Sequence, residues 1–157
     1  MSVTLHVNGR RTTVACEPAD MLLDVLRAEG LTSVRETCRI GVCGACTVLL
    51  DGEPVSGCLT MAGQVEGREI TTVEGLGGTD PVQRAFVDAH AFQCGWCTPG
   101  FVLTARRLLE ERAGGPPLTD AEIAEALGGN LCRCGSYVKI VEAVRRAAAG
   151  TDGRGRA

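Results

Sequence analysis

Apolar and polar residues alternate from the first strand-length stretch of the chain: Val3, Leu5 and Val7, then Asn8-Gly9, then Thr12 and Val14. A period of two marks a strand with one buried face, and Asn-Gly supplies the two positive-φ residues of a tight hairpin turn. Residues 2–15 are therefore predicted to form a β-hairpin. Leu22, Leu23, Val25 and Leu26 follow at helical spacing, with Asp20 placed to cap the start and Gly30 to end the helix. Thr47 to Leu50, Asp51-Gly52 and Glu53 to Gly57 read as a second hairpin, and Glu69 to Val73 as a further strand. The first half is thus β-rich with one helix.

The alternation stops between Gly75 and Asp80, where Gly75, Gly77 and Gly78 make a flexible connection. Beyond it the period is helical. Asp80-Pro81 is an N-cap with proline at the first helical position, ahead of Val82, Ala85, Phe86 and Ala89. Thr98-Pro99 repeats the signal ahead of Val102, Ala105, Leu108 and Leu109; Thr119 and Glu122 form a capping box before a helix ending at Gly128-Gly129. Ser136 caps a fourth helix carrying Tyr137, Ile140, Val141 and Val144. The expected organisation is α+β: a domain over residues 1–76, a four-helix bundle over 80–149, and a disordered tail over 150–157.

The chain has 157 residues, room for two small domains and not for a large enzyme. Its five aromatic residues (Phe86, Phe92, Trp96, Phe101, Tyr137) all lie after the boundary. The first domain must therefore rely on small aliphatics and on an additional staple such as a metal site. A formal net charge of −3 with scattered Arg and Lys argues against nucleic acid as a partner. No apolar run approaches the roughly 20 residues of a membrane span. The N-terminus lacks the apolar run of an export signal, and an odd number of cysteines, nine, does not pair off into disulfides. A reducing, cytoplasmic setting is expected.

Eight of the nine cysteines fall into two groups of four. Cys38, Cys43 and Cys46 make C-x4-C-x2-C, the spacing with which a plant-type loop wraps a [2Fe–2S] cluster. The second hairpin turns near Gly52, which brings Cys58 back opposite Cys46 as the fourth thiolate. Gly41 and Gly44 suit a tight loop with amide N–H groups aimed at the sulfurs. The second group is Cys94-x2-Cys97 with Cys132-x-Cys134, both pairs near helix starts, where the dipole favours thiolate. Zinc is the competing occupant of four thiolates, but structural zinc sites pair two short knuckles, which C-x4-C-x2-C with one distant cysteine does not provide. For the second group, spacing alone leaves iron–sulfur and zinc both open. Cys16 stands outside both groups and reads as a buried thiol. No Ser-His-Asp set, phosphate loop or carboxylate pair stands out, and no catalytic residue is expected on this chain.

Taken together, Cys38 to Cys46 (CRIGVCGAC), Gln93 to Gly100 (QCGWCTPG) and Gly129 to Tyr137 (GNLCRCGSY) resemble the small iron–sulfur subunit of the molybdenum hydroxylases, the xanthine dehydrogenase, aldehyde oxidase and carbon monoxide dehydrogenase family. Cys134-Gly135-Ser136-Tyr137 is similar to the isoquinoline-oxidoreductase-like members. The resemblance implies a β-grasp, plant-ferredoxin-like first domain and a helical second domain, each with one [2Fe–2S] cluster. It implies a large partner subunit holding a molybdenum pterin, which Gln93 and Cys134 would contact, and a medium subunit with FAD, or another acceptor, in a heterotrimer or its dimer. This chain would pass electrons between them. The alternatives are a stand-alone ferredoxin-like carrier and a zinc-stabilised adaptor. Two oxidised clusters would take the formal charge from −3 to roughly −7, and Arg39 and Arg133, each beside a ligand cysteine, are the expected counter-charges or else solvent-facing.

Overall fold

Two positive-φ turns set the sheet. Asn8 and Gly9 have φ of 52° and 74°, and Asp51 and Gly52 have 51° and 86°, the left-handed pairs that a two-residue hairpin needs. In the computed structural model, which describes residues 2–152, β1 (Ser2–Val7) accordingly pairs antiparallel with β2 (Arg10–Ala15), and β3 (Thr47–Leu50) with β4 (Glu53–Ser56). The short β5 (Glu69–Thr71) joins the hairpins, parallel to β1 and antiparallel to β3, so the sheet order is β2-β1-β5-β3-β4. The predicted strand is cut short because Val73–Leu76 turns into a 3-10 helix. Asn8 holds that corner as well as its own turn: its side chain accepts from the Thr72 N–H at 2.9 Å and donates to Thr72 Oγ1 at 3.0 Å.

Helix α1 (Leu22–Ala28) lays Leu22, Leu23, Val25 and Leu26 against Val3, Leu5, Val48 and Ile70. Asp20 does not cap it. The N-cap is Met21 without a side-chain bond, and the Asp20 carboxylate instead accepts from the Glu17 N–H at 2.8 Å. The first amides of the helix are taken by distant carbonyls: Leu22 N–H donates to Thr60 O at 2.7 Å and Leu23 N–H to Gly57 O at 3.0 Å. A backbone segment thus satisfies donors that a cap would otherwise serve.

The second half holds α2 (Pro81–Asp88), α3 (Thr98–Glu111), α4 (Asp120–Ala126) and α5 (Tyr137–Asp152). Capping boxes at Asp80/Gln83 and Thr119/Glu122 start α2 and α4. Before α3 the N-cap residue is Cys97, one position earlier than the sequence pattern suggests; Thr98 lies inside the helix with its buried hydroxyl unbonded. Phe86, Phe101, Ile123, Ile140 and Val144 form the core of this half. Only two of the five aromatics are in it, Phe92, Trp96 and Tyr137 being 40–44% exposed. The tail expected over 150–157 begins with helix, as α5 reaches Asp152, and its remainder, 153–157, lies outside the described residues. Among the described residues no helix is long and apolar enough to cross a membrane.

The two halves meet along α3, which packs against β3 and β4. Buried Asn130 ties the seam: its amide donates to Gly44 O at 3.0 Å and its carbonyl accepts from Thr104 Oγ1 at 2.9 Å. The approach is so close that a Cβ on Gly44 would fall 2.4 Å from Gly129 O, and one on Gly100 2.3 Å from Gly44 O. Glycine is required at both positions.

Candidate metal centres

The first four cysteines are delivered by one loop and one hairpin. The loop from Cys38 to Cys46 doubles back through positive-φ residues Arg39, Gly41 and Gly44, with φ of 57°, 72° and 66°. Its amides turn inward, and Cys43 N–H donates to Cys38 Sγ at 3.4 Å. β3 then begins at Thr47, whose register partner on β4 is Ser56, so Cys46 and Cys58 flank the last paired rung; Gly57 N–H donates to Cys46 O at 3.2 Å. Both thiols are buried within the β-domain core, next to one another. The hairpin brings Cys58 back to Cys46, as its turn position leads one to expect.

The pair of loops in the helical half converges in the same manner. Cys94 and Cys97 lead into α3, and Cys132 and Cys134 precede α5. Cys134 Sγ lies 3.5 Å from Cys94 Sγ, and the Cys97 and Cys132 thiols are hydrogen-bonded to each other. Backbone amides again face sulfur: Trp96 N–H donates to Cys94 Sγ at 3.5 Å and Ser136 N–H to Cys132 Sγ at 3.4 Å. The Tyr137 hydroxyl fixes the loop by accepting from the Cys132 N–H at 2.8 Å. Gly95 and Gly135 take φ of 76° and 77° in the two loops.

These surroundings split the thiols. Cys38 is held down at about 6, first by the Ile40 amide and then by that of Cys43. Cys94 is lowered chiefly by the Trp96 amide. Burial raises Cys132, but the Ser136 amide and the Cys97 thiol outweigh it and the net shift is down. Cys46 is pushed up to about 11 and Cys97 to about 12, in both cases mainly by burial. Each set therefore contains a thiol that ionises readily and one that keeps its proton until a cation replaces it.

Residues 5–74 match a 2Fe-2S iron–sulfur cluster binding domain, and residues 72–145 a second [2Fe-2S] binding domain. The chain is 47% identical over 151 residues to the nicotinate dehydrogenase small FeS subunit of Eubacterium barkeri, covering 94% of each. It is 50% identical over 147 residues to the nicotine 6-hydroxylase small subunit of Paenarthrobacter nicotinovorans, covering 92% of this chain and 87% of that one. Among solved structures it matches quinoline 2-oxidoreductase from Pseudomonas putida 86 with a TM-score of 0.90 and 40% identity, over 98% of this chain and 97% of that chain. The chain is a small iron–sulfur subunit of the molybdenum hydroxylase family.

As such a subunit it is the electron-transfer component of an oxidoreductase. Its donors suit [2Fe–2S] clusters better than single ions. The thiols are grouped two by two, Cys38 with Cys43, Cys46 with Cys58, Cys94 with Cys134 and Cys97 with Cys132. Two irons with two thiolates each require that grouping, whereas one tetrahedral zinc needs all four sulfurs about 2.3 Å from a single point. Among the described residues no three Cys, His, Asp or Glu side chains are so gathered. The inward amides supply the hydrogen bonds that stabilise sulfur-borne negative charge.

The iron–sulfur subunit's other expected residues fall differently. Gln93 is exposed beside Cys134, its side-chain amide donating to Cys134 O at 3.0 Å, so these two do come together at the surface. Arg39, at a left-handed backbone position, is not a free counter-charge: it pairs with Asp24 at 2.5 Å and Glu36 at 2.6 Å. Arg133 is exposed and makes no ion pair among the described residues. The contacts that the motifs did not reveal are those between the loops. Leu131 N–H donates to Cys43 O at 2.9 Å, and Trp96 Nε1 donates to Thr37 Oγ1 at 2.8 Å. Each joins residues more than 50 positions apart, and no local pattern announces such a bond.

Proposed function

We propose that Cys38, Cys43, Cys46 and Cys58 ligate one [2Fe–2S] cluster and Cys94, Cys97, Cys132 and Cys134 a second, so that the chain relays electrons between a molybdenum pterin on a large partner subunit and FAD on a medium subunit, or another acceptor, in a heterotrimer or its dimer. The observation that carries this is the two-by-two grouping of both thiol sets within a family of cluster-binding domains. Each cluster, when bound, supplies reversible one-electron chemistry. The chain's own residues exclude water from Cys46, Cys58 and Cys132, aim amides at the sulfurs, and hold the two loops in contact through Leu131 N–H and Cys43 O. Cys134 is half-buried and bonded through its carbonyl to exposed Gln93, which supports an edge where this pair meets the pterin. The organisation into 1–76 and 80–149 is supported by two separate cores, although Val73 and Leu76 pack against the second. A cytoplasmic setting fits nine reduced thiols.

The complex, purified with its partner subunits, is expected to carry about four irons and four acid-labile sulfides per copy of this chain, and to show two distinguishable [2Fe–2S] signals by electron paramagnetic resonance after reduction. Stoichiometric zinc without a visible chromophore overturns the assignment. Molybdenum is expected to co-purify; a lone chain isolated from its own host without it rejects the partner assignment alone.

A further inference from the structure

Two anionic sites of about −2 each need a cation nearby, and both positions that the motifs suggest are otherwise engaged or in solvent. Arg35 is the half-buried guanidinium left at the seam. Its backbone N–H donates to Ala45 O at 3.1 Å, in the first cysteine loop. Its guanidinium lies over the ring of Trp96, 4.7 Å from the centroid, and Trp96 stands between Cys94 and Cys97 in the second. The indole N–H in turn reaches Thr37, the neighbour of Cys38. No carboxylate among the described residues pairs with Arg35, and its Nε is buried without a partner. A charge half removed from water and not paired with a carboxylate acts more strongly on its surroundings than an exposed one, and salt screens it less.

We propose that Arg35, held on the Trp96 ring, is a positioning and potential-setting residue: the cation between the two cysteine loops that favours the reduced, more negative state of the cluster sites. The proposal builds on the ligand assignment above. The ring presents its negative face to the guanidinium, the Trp96–Thr37 bond keeps the ring from turning, and the charge is thereby held against the second loop while the Arg35 backbone is tied to the first through Ala45 O. The sequence hides this role, since Arg35 lies outside all three cysteine motifs and 61 residues before the indole it meets.

The test is a redox titration of the intact complex followed by electron paramagnetic resonance, at low and high salt. Arg35→Gln is expected to lower the midpoint potential of the Cys94/Cys97 site, by about tenfold in the reduction equilibrium or about 59 mV for one electron, with the shift surviving high salt. Arg35→Lys, which keeps the charge, is expected to recover most of it. Trp96→Leu releases the guanidinium and is expected to shift the potential the same way; it carries the test if Arg35→Gln fails to assemble. Wild-type potentials in Arg35→Gln with both signals intact overturn the proposal, as do equal shifts in Arg35→Gln and Arg35→Lys, which mean a packing role. Absence of two signals in the wild type overturns the ligand assignment itself.

Discussion

Cys38 and Cys97 stand at opposite ends of the thiol range, near 6 and near 12, for reasons of backbone geometry and burial. The contrast is testable in metal-free protein by alkylation and mass spectrometry. With a pKa lowered to about 6, Cys38 is about nine-tenths thiolate at pH 7, so its alkylation should rise through pH 6 and level off by pH 7. Cys97 should stay unreactive throughout, and equal labelling of the two would contradict the loop geometry. Asn130 is the polar counterpart. Its bonds to Gly44 O and Thr104 Oγ1 are buried, so Asn130→Ala is expected to destabilise the protein by about 1–3 kcal/mol in denaturant unfolding. That the cysteines gather in two sets was legible because their spacing is local. Asn130 was not, because its partners on the first domain, Gly44 and Thr47, lie more than 80 positions away.

At the scale of elements, hairpins and capping boxes were read correctly wherever the determinant was two to four residues long. Asn8-Gly9, Asp51-Gly52, the Asp80-Pro81 cap and the Thr119/Glu122 box all belong to that kind, while the Gln83 half of the first box came only with the structure. Thr119→Ala should cost about 1 kcal/mol of stability while leaving iron content unchanged. The start of α1 was misread because Gly57 and Thr60 supply its acceptors. That arrangement has a use: the helix N-terminus grips the chain on either side of Cys58 and so positions the fourth thiol of the first set. Gly44 shows the same dependence between elements. Gly44→Ala would place a methyl at φ 66° and 2.4 Å from Gly129 O, and is expected to cost more than about 2 kcal/mol or prevent folding, read by thermal unfolding against wild type.

Over the whole molecule, each half owns a core and a thiol set, and Cys46 and Cys58 belong to the first core, Cys132 to the second. Without aromatic side chains in the β-domain, its cysteine loop contributes to holding it together. Removing iron with a chelator under reducing conditions is therefore expected to lower the unfolding temperature, and loading iron and sulfide to restore it, as follows for any group bound by the folded state alone. A melting curve indifferent to iron would mean that the aliphatic core suffices.

The sequence by itself determined the α+β order, the two hairpins, the helices and the grouping of eight cysteines into two sets, because period, turn chemistry and cysteine spacing are written within a few residues. Only the tertiary structure decided how the thiols pair, that Arg35 lies on the Trp96 ring and not against a carboxylate, and how the loops touch through Leu131, Asn130 and Trp96. Those outcomes depend on distances between residues far apart in the chain, and such distances exist only once both cores have closed.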